Sequence, residues 1–195
     1  MFRVCIRATS SGLGSIGDIL VLAEAVTNAH VVAGSDKVWI SFNGELDRHP
    51  AEVVLYDPEL DVALLYEADV RLTPLTLSGS VAERGQQAAA LGYTGGGGLR
   101  SIPAVVSRDL DAVGRDIYGS NIVERSVIEL RENVAPGDSG GPLLIAGGDV
   151  LGVTFSKSQS DPQIGYALAA AAVEHSIAPS LDSSNPADTQ SCIQH

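Results

Sequence analysis

Apolar residues fall along this chain in short bursts rather than in long helical stripes. Runs rich in Val, Ile, Leu and aromatic residues occupy 37–42, 51–56, 62–66, 87–93, 102–107, 126–131, 143–145, 150–156 and 165–169. Gly, Asp, Asn and Pro separate them, which predicts strands joined by turns. A 3.6-residue period emerges only in the alanine-rich ALAAAAVEHSI at 167–177, which predicts one C-terminal helix. Strand character lapses at 71–85, RLTPLTLSGSVAERG, and about six strands fall on either side of that linker. The pattern predicts an all-β protein in two halves, with domains at 1–78 and 79–178 and a tail at 179–195 that looks loose unless a disulfide ties it back. The glycine run at 95–98 reads as a hairpin loop, because no helix N-terminus follows it to cradle a phosphate.

Composition narrows the function classes. The chain has 195 residues, 45% of them hydrophobic, so it can bury a real core. Its 24 acidic side chains outnumber 12 basic ones for a formal charge of −12, the wrong sign for tracking nucleic-acid phosphates. Nucleic acid is therefore not expected as a partner. The N-terminus lacks an apolar stretch long enough for a signal peptide, and the run at 19–23 is far too short to span a bilayer. The expectation is a soluble segment without membrane contact of its own, any anchor lying outside it. No metal-ligand spacing is present, and neither a metal nor another cofactor is expected. Cys5 and Cys192 are either two separate thiols or a disulfide that staples the tail back in an oxidising compartment. Closing so long a loop would contribute at most roughly 5 kcal/mol.

Three stretches carry candidate chemistry. A serine hydroxyl is a weak nucleophile at neutral pH, so it needs a base in reach and that base needs an orienting acceptor. His49, His175 and His195 sit in a charged turn, a predicted helix and the terminus, settings that favour solvated side chains. His30 stands apart in VTNAHVVAG, where a β-branched strand runs into a short turn. Asp61 leads directly into the apolar run 62–65, where a partly buried carboxylate requires a donor. Its neighbour Asp57, in an Asp-Pro context, reads as a turn cap. In NVAPGDSGGPLL, Gly137 and Gly140 permit a tight loop in which the N–H groups of Gly137 and Ser139 converge as an oxyanion hole. Asp138 would point away and hold that loop.

TNAHVV, DVALL and PGDSGGPL, in that order, resemble the trypsin-like, chymotrypsin-fold serine peptidases, in the bacterial branch that includes the high-temperature-requirement proteases. More narrowly, NAHVVAGSDKV, VVLYDPELDVALL, LGYTGGGG, DIYGS, VAPGDSGGPLL and VLGV resemble the membrane-anchored acid-resistance serine proteases of mycobacteria and related actinobacteria. The similarity runs over nearly the whole chain.

That resemblance implies two six-stranded antiparallel β-barrels side by side with a C-terminal helix, an active site in the cleft between them and a Cys5–Cys192 disulfide. It implies His30 as general base, Asp61 as its orienting carboxylate, Ser139 as nucleophile, and Gly137 and Ser139 as oxyanion donors. Thr154, Phe155 and Ser156 would line an edge strand for an extended polypeptide substrate, with Thr154 also bonding Asp61. Asn133, Gly165, Tyr166 and Ala167 would shape the pocket for the residue before the cut, expected to be small or medium and apolar. The implied protein is a serine endopeptidase acting on extracytoplasmic proteins in envelope or acid-stress response, its full-length relatives carrying an N-terminal membrane anchor. Because the free base must be neutral, such a role does not itself imply an acidic optimum. The stretch 12–26, GLGSIGDILVLAEAV, departs from the Gly-Ser-Gly-Phe usual before the histidine strand. That departure keeps open a catalytically silent peptide-binding module on the same fold.

Overall fold

The computed structural model describes residues 8–9, 24–41, 48–69, 74–93, 98–132 and 138–193. In the first half, β1 (Ala8–Thr9), β2 (Glu24–Thr27), a one-turn α1 (Ala29–Val32), β3 (Val38–Ser41), β4 (Arg48–Asp57), β5 (Val62–Tyr66) and β6 (Leu75–Thr76) follow in order. The second half contains β7 (Gln87–Gly92), β8 (Arg100–Arg115), β9 (Ile122–Arg131), β10 (Pro142–Ile145), β11 (Val150–Lys157) and β12 (Ile164–Ala169). β12 runs straight into α2 (Ala170–Ile177) and a 3-10 turn at Ala178–Ser180.

The two halves close differently. β10-β11-β12-β9-β8-β7 form a closed barrel, whereas β2-β5-β4-β3 form a 4-stranded sheet and β1 pairs with β6 in parallel. Among the described residues the first half is thus an open sheet, and the stretch 10–23 lies outside them. The linker is less irregular than its composition predicts: Leu77 is 3% exposed and bridges Val150 of the second half.

β5 shows why one apolar run can hold two halves together. Successive strand side chains point to opposite faces, so an uninterrupted VALL must be covered on both. Val62 and Leu64 join a core with Val127, Val150, Val153 and Leu168 of the barrel and Val173 and Ile177 of α2. Ala63 and Leu65 face a separate core with Val32, Val38, Ile40 and Val53. A third core fills the barrel with Ala90, Val106, Ile128, Leu130, Leu143 and Leu151. At roughly 1.5–3 kcal/mol for each large side chain fully buried, the shared first core is what welds sheet to barrel.

The helix buries Ala170, Val173 and Ile177, a spacing of one face, and Pro179 stands in the turn that ends it. Beyond it the tail is bound by backbone. Asp182 N donates to Glu24 Oε1 at 2.7 Å, Ala187 N to Val53 O at 2.7 Å, and Gly34 N to Thr189 O at 3.0 Å. These bonds hold the tail against the first half whatever Cys192 does. Among the described residues the exposed Cys192 has no disulfide partner, its Sγ lying 3.7 Å from Gly34 O, and Cys5 lies outside those residues. Among those residues no helix is long and apolar enough to cross a membrane.

Candidate active site

The turn after β4 is built to present Asp61. Asp57 Oδ1 accepts from the backbone N–H of Glu59 at 3.1 Å and of Leu60 at 2.9 Å, and Asp57 O accepts from Asp61 N at 2.9 Å. This is the capping role its Asp-Pro context predicts. Ser176 of α2 adds a hydroxyl donor to Asp57 Oδ2 at 2.9 Å. Asp61 then takes φ 70, a left-handed conformation that aspartate tolerates better than most residues.

From there its carboxylate meets α1. His30 donates its backbone N–H to Asp61 Oδ1 at 2.9 Å, and His30 Nδ1 lies 2.7 Å from Asp61 Oδ2. An ionised carboxylate only accepts, so in the neutral imidazole this contact puts the proton on Nδ1 and the lone pair on Nε2. Asn28 Nδ2 donates to Asp61 O at 2.9 Å and locks the other end of the same residue. Asp61 is 5% exposed at its side chain and His30 30%, so the pair has a dry floor and an open outer edge. Hydrogen bonds to a charged group contribute about 1.5–3 kcal/mol each, enough to hold one imidazole rotamer.

Ser139 is half-buried in the turn between β9 and β10. Gly140, at φ 79, lies against the end of β2: a Cβ there would fall 2.6 Å from Thr27 Oγ1, three residues before His30. Only glycine combines that φ with so close an approach. β11 clamps the turn from below, Gly140 N donating to Thr154 O at 2.8 Å and Thr154 N to Gly141 O at 2.9 Å. Asp138 is 1% exposed and packs against Gly92 at the end of β7. The hydroxyl of Ser139 is not hydrogen-bonded to His30 among the described residues, and apo enzymes often close that contact only around substrate.

The remaining expected site residues divide. Gly137 and Asn133 lie outside the described residues. Phe155 and Ser156 are half-buried on β11, with a bulge between Thr154 and Ser156. β10 pairs with β11 only as far as Val153, leaving the 155–157 edge without a strand partner on that side among the described residues. Thr154 is buried, and its Oγ1 has no hydrogen-bond partner; this corrects the expected bond to Asp61, whose two oxygens accept from His30 N and Nδ1. Gly165 and Ala167 are buried and Tyr166 half-buried on β12, with the Ala167 side chain in the barrel core beside Leu130 and Leu143.

Glu132, unforeseen in the sequence, ends the strand before the Ser139 loop. It is 6% exposed, neither carboxyl oxygen has a partner, and it borders a cavity of about 370 Å³ with Ile102, Pro103 and Gln163. Burial, then the nearby Asp138 carboxylate, pushes its pKa up to about 7. Its signal in the sequence was a lone glutamate directly after an apolar strand, which resembles any solvated strand end.

A closed barrel beside a sheet, with a carboxylate-bonded histidine three residues after the Thr27 that meets the glycine of a serine turn, fits the architecture of a serine peptidase domain. A family profile of the trypsin-like peptidase domain matches residues 15–153, and the chain belongs to that family. It is 37% identical over 182 residues, 93% of its length, to the serine protease Rv3671c of Mycobacterium tuberculosis strain H37Rv. It is 31% identical over 161 residues to a probable periplasmic DegP-like serine endoprotease of Halomonas elongata, covering 79% of this chain. The chain spans 45% of the first relative and 32% of the second, less than half of either. The crystal structure of the active form of Rv3671c superposes with a TM-score of 0.84 at 37% identity, over 89% of this chain and 77% of that one.

Proposed function

We propose that this chain is the catalytic part of a serine endopeptidase that hydrolyses extracytoplasmic proteins through an acyl-enzyme. The observation that carries the reading is the His30 Nδ1 to Asp61 Oδ2 contact of 2.7 Å, which leaves Nε2 available as a base, on a chain segment whose Thr27 lies against Gly140 of the Ser139 turn. In this mechanism Ser139 Oγ attacks the peptide carbonyl while Nε2 takes its proton. The imidazolium, held by Asp61, returns the proton to the leaving amine, and water then resolves the ester by the reverse roles. The N–H groups of Gly137 and Ser139 serve the developing oxyanion, where losing one donor costs about 3 kcal/mol of barrier. The free edge at 155–157 supports an extended substrate added as a strand, with Asn133 and the 165–167 segment shaping the pocket.

The likeness to a periplasmic-type relative supports an extracytoplasmic setting, and the resemblance to acid-resistance proteases supports a role in envelope or acid stress. A Cys5–Cys192 bridge fits the same setting, since it would reinforce a tail already bonded to Gly34 and Val53. Fluorophosphonate labelling and casein cleavage test the core of the reading: both are expected in the native chain and lost in Ser139→Ala, with circular dichroism unchanged. The open contact between Ser139 and His30 favours one rival, a silent peptide-binding module. Peptide binding by a chain whose serine resists the fluorophosphonate would select that rival.

A further inference from the structure

The turn that carries Asp61 belongs to the sheet, yet much of what grips it comes from the barrel. β8 and β9 extend beyond the barrel wall as a long hairpin, pairing from Val105 with Arg131 out to Arg115 with Ile122. Its tip is tied by one carboxylate: Asp116 accepts from the backbone N–H of Tyr118, Ser120 and Asn121 and from Asn121 Nδ2, at 2.8 to 3.1 Å. That tip reaches the far turn. Ile117 N donates to Pro58 O at 3.3 Å, and Arg125 Nε donates to Glu59 O at 2.6 Å while its Nη1 holds Arg115 O at 3.0 Å. Tyr118 Oη lies 2.7 Å from Tyr56 Oη, just before the turn, and 3.0 Å from the tail carbonyl of Ser191. Burial, then the Tyr118 bond, pushes the Tyr56 phenol well above its usual pKa. Arg125 is drawn the other way by burial, while the carboxylates of Asp61, Asp116 and Asp57 favour its charge.

Two successive carbonyls, of Pro58 and Glu59, are thus claimed from across the molecule, two and three residues before the carboxylate that orients His30. We propose that Arg125 and Tyr118 are positioning residues for the His30–Asp61 pair, the hairpin tip acting as a strut that fixes the Asp57–Asp61 turn. This rests on the peptidase reading for its catalytic meaning, though the strut itself concerns only the pair's geometry. Neither residue touches the reacting atoms. A small displacement of such a turn is expressed in kcat, because misorientation by a fraction of an ångström weakens proton transfer without altering substrate contacts.

The test compares Arg125→Met, Arg125→Lys and Tyr118→Phe, alone and with Asp61→Asn. Arg125→Met is expected to lower kcat about tenfold, with KM for an extended peptide unchanged within about twofold. Arg125→Lys should recover part of the loss, and Tyr118→Phe should show a smaller one. In the Asp61→Asn background Arg125→Met should cost nothing further, since the group it positions is gone. A second readout needs no turnover: the downfield proton resonance of the His30 Nδ1–H bond, identified by its loss in Asp61→Asn. It should persist in Ser139→Ala and broaden or vanish in Arg125→Met. If kcat and that resonance are both unchanged in Arg125→Met and Tyr118→Phe, or if Arg125→Met lowers kcat equally with and without Asp61, the strut is overturned. A native chain that fails fluorophosphonate labelling while the resonance still responds to Arg125 overturns the peptidase reading and leaves the strut standing.

Discussion

Asp61 and Glu132 are carboxyls withdrawn from solvent to a similar degree, 4% and 6% exposed, one in the turn of the sheet and the other at the end of a barrel strand. The sheet supplies Asp61 with two N–H donors from a single residue, at 2.9 and 2.7 Å. The barrel supplies Glu132 with none. Burial is thus not what makes a carboxyl useful as an anion; the donors are, because they replace the hydration that burial removes. Asp61 is furnished with donors from an imidazole and its backbone. Glu132 is furnished to stay neutral until pH approaches about 7.

Breaking the furnished side should have the largest effect. Asp61→Asn keeps shape and hydrogen-bonding capacity but exchanges an acceptor for an amide, which favours the wrong imidazole tautomer and leaves the imidazolium unsupported. A loss of about 10⁴-fold in kcat is expected, with the fold retained. Steady-state kinetics on a peptide substrate, beside a melting curve, check this. A variant within tenfold of the native rate would mean that the pairing with His30 is ornamental.

Glu132→Gln sharpens the other side. The unfolded carboxyl ionises near 4.5 and the folded one near 7, so between those values the native state holds a proton that the unfolded state has released. Stability therefore falls as pH rises through that window, and the full penalty, on the order of 3 kcal/mol, is present above it. Glutamine cannot ionise, so denaturant unfolding of Glu132→Gln should lose this slope and show greater stability than the native chain at pH 8, with little difference at pH 4. Parallel pH profiles for the two proteins would show that Glu132 is hydrated and carries no such penalty.

The contrast also explains what the sequence exposed and what it hid. β5 was legible because VALL is too apolar to be anything but doubly covered, and Asp61 was legible because it stands at that strand's mouth. The outer part of β8 was not, since SRDLDAVGR alternates charged with apolar residues on an arm with few buried positions and so carries little apolar signal. The donors from Ile117 and Arg125 were hidden for a different reason. They bond to backbone carbonyls of Pro58 and Glu59, and a carbonyl has no identity in a sequence. The close approach of Gly140 to Thr27 was hidden as well, because it is made across the molecule. Elements written in side-chain periodicity can be read ahead of the fold; contacts made by main chain across the molecule cannot.

Thr154 offers the smallest effect and separates two accounts of the Asp61 environment. Its backbone pins the Ser139 turn through Gly140 and Gly141, yet its hydroxyl is buried without a partner. If the hydroxyl contributes nothing to Asp61, Thr154→Val keeps both backbone bonds, replaces an unsatisfied polar group by a methyl of similar size, and should raise stability by about 1 kcal/mol or leave it unchanged. The kcat should stay within about twofold. A clear loss of kcat without loss of stability would instead place that hydroxyl on Asp61 during turnover. The carboxylate would then recruit a third donor when the imidazole becomes charged, making Asp61 still more unlike Glu132.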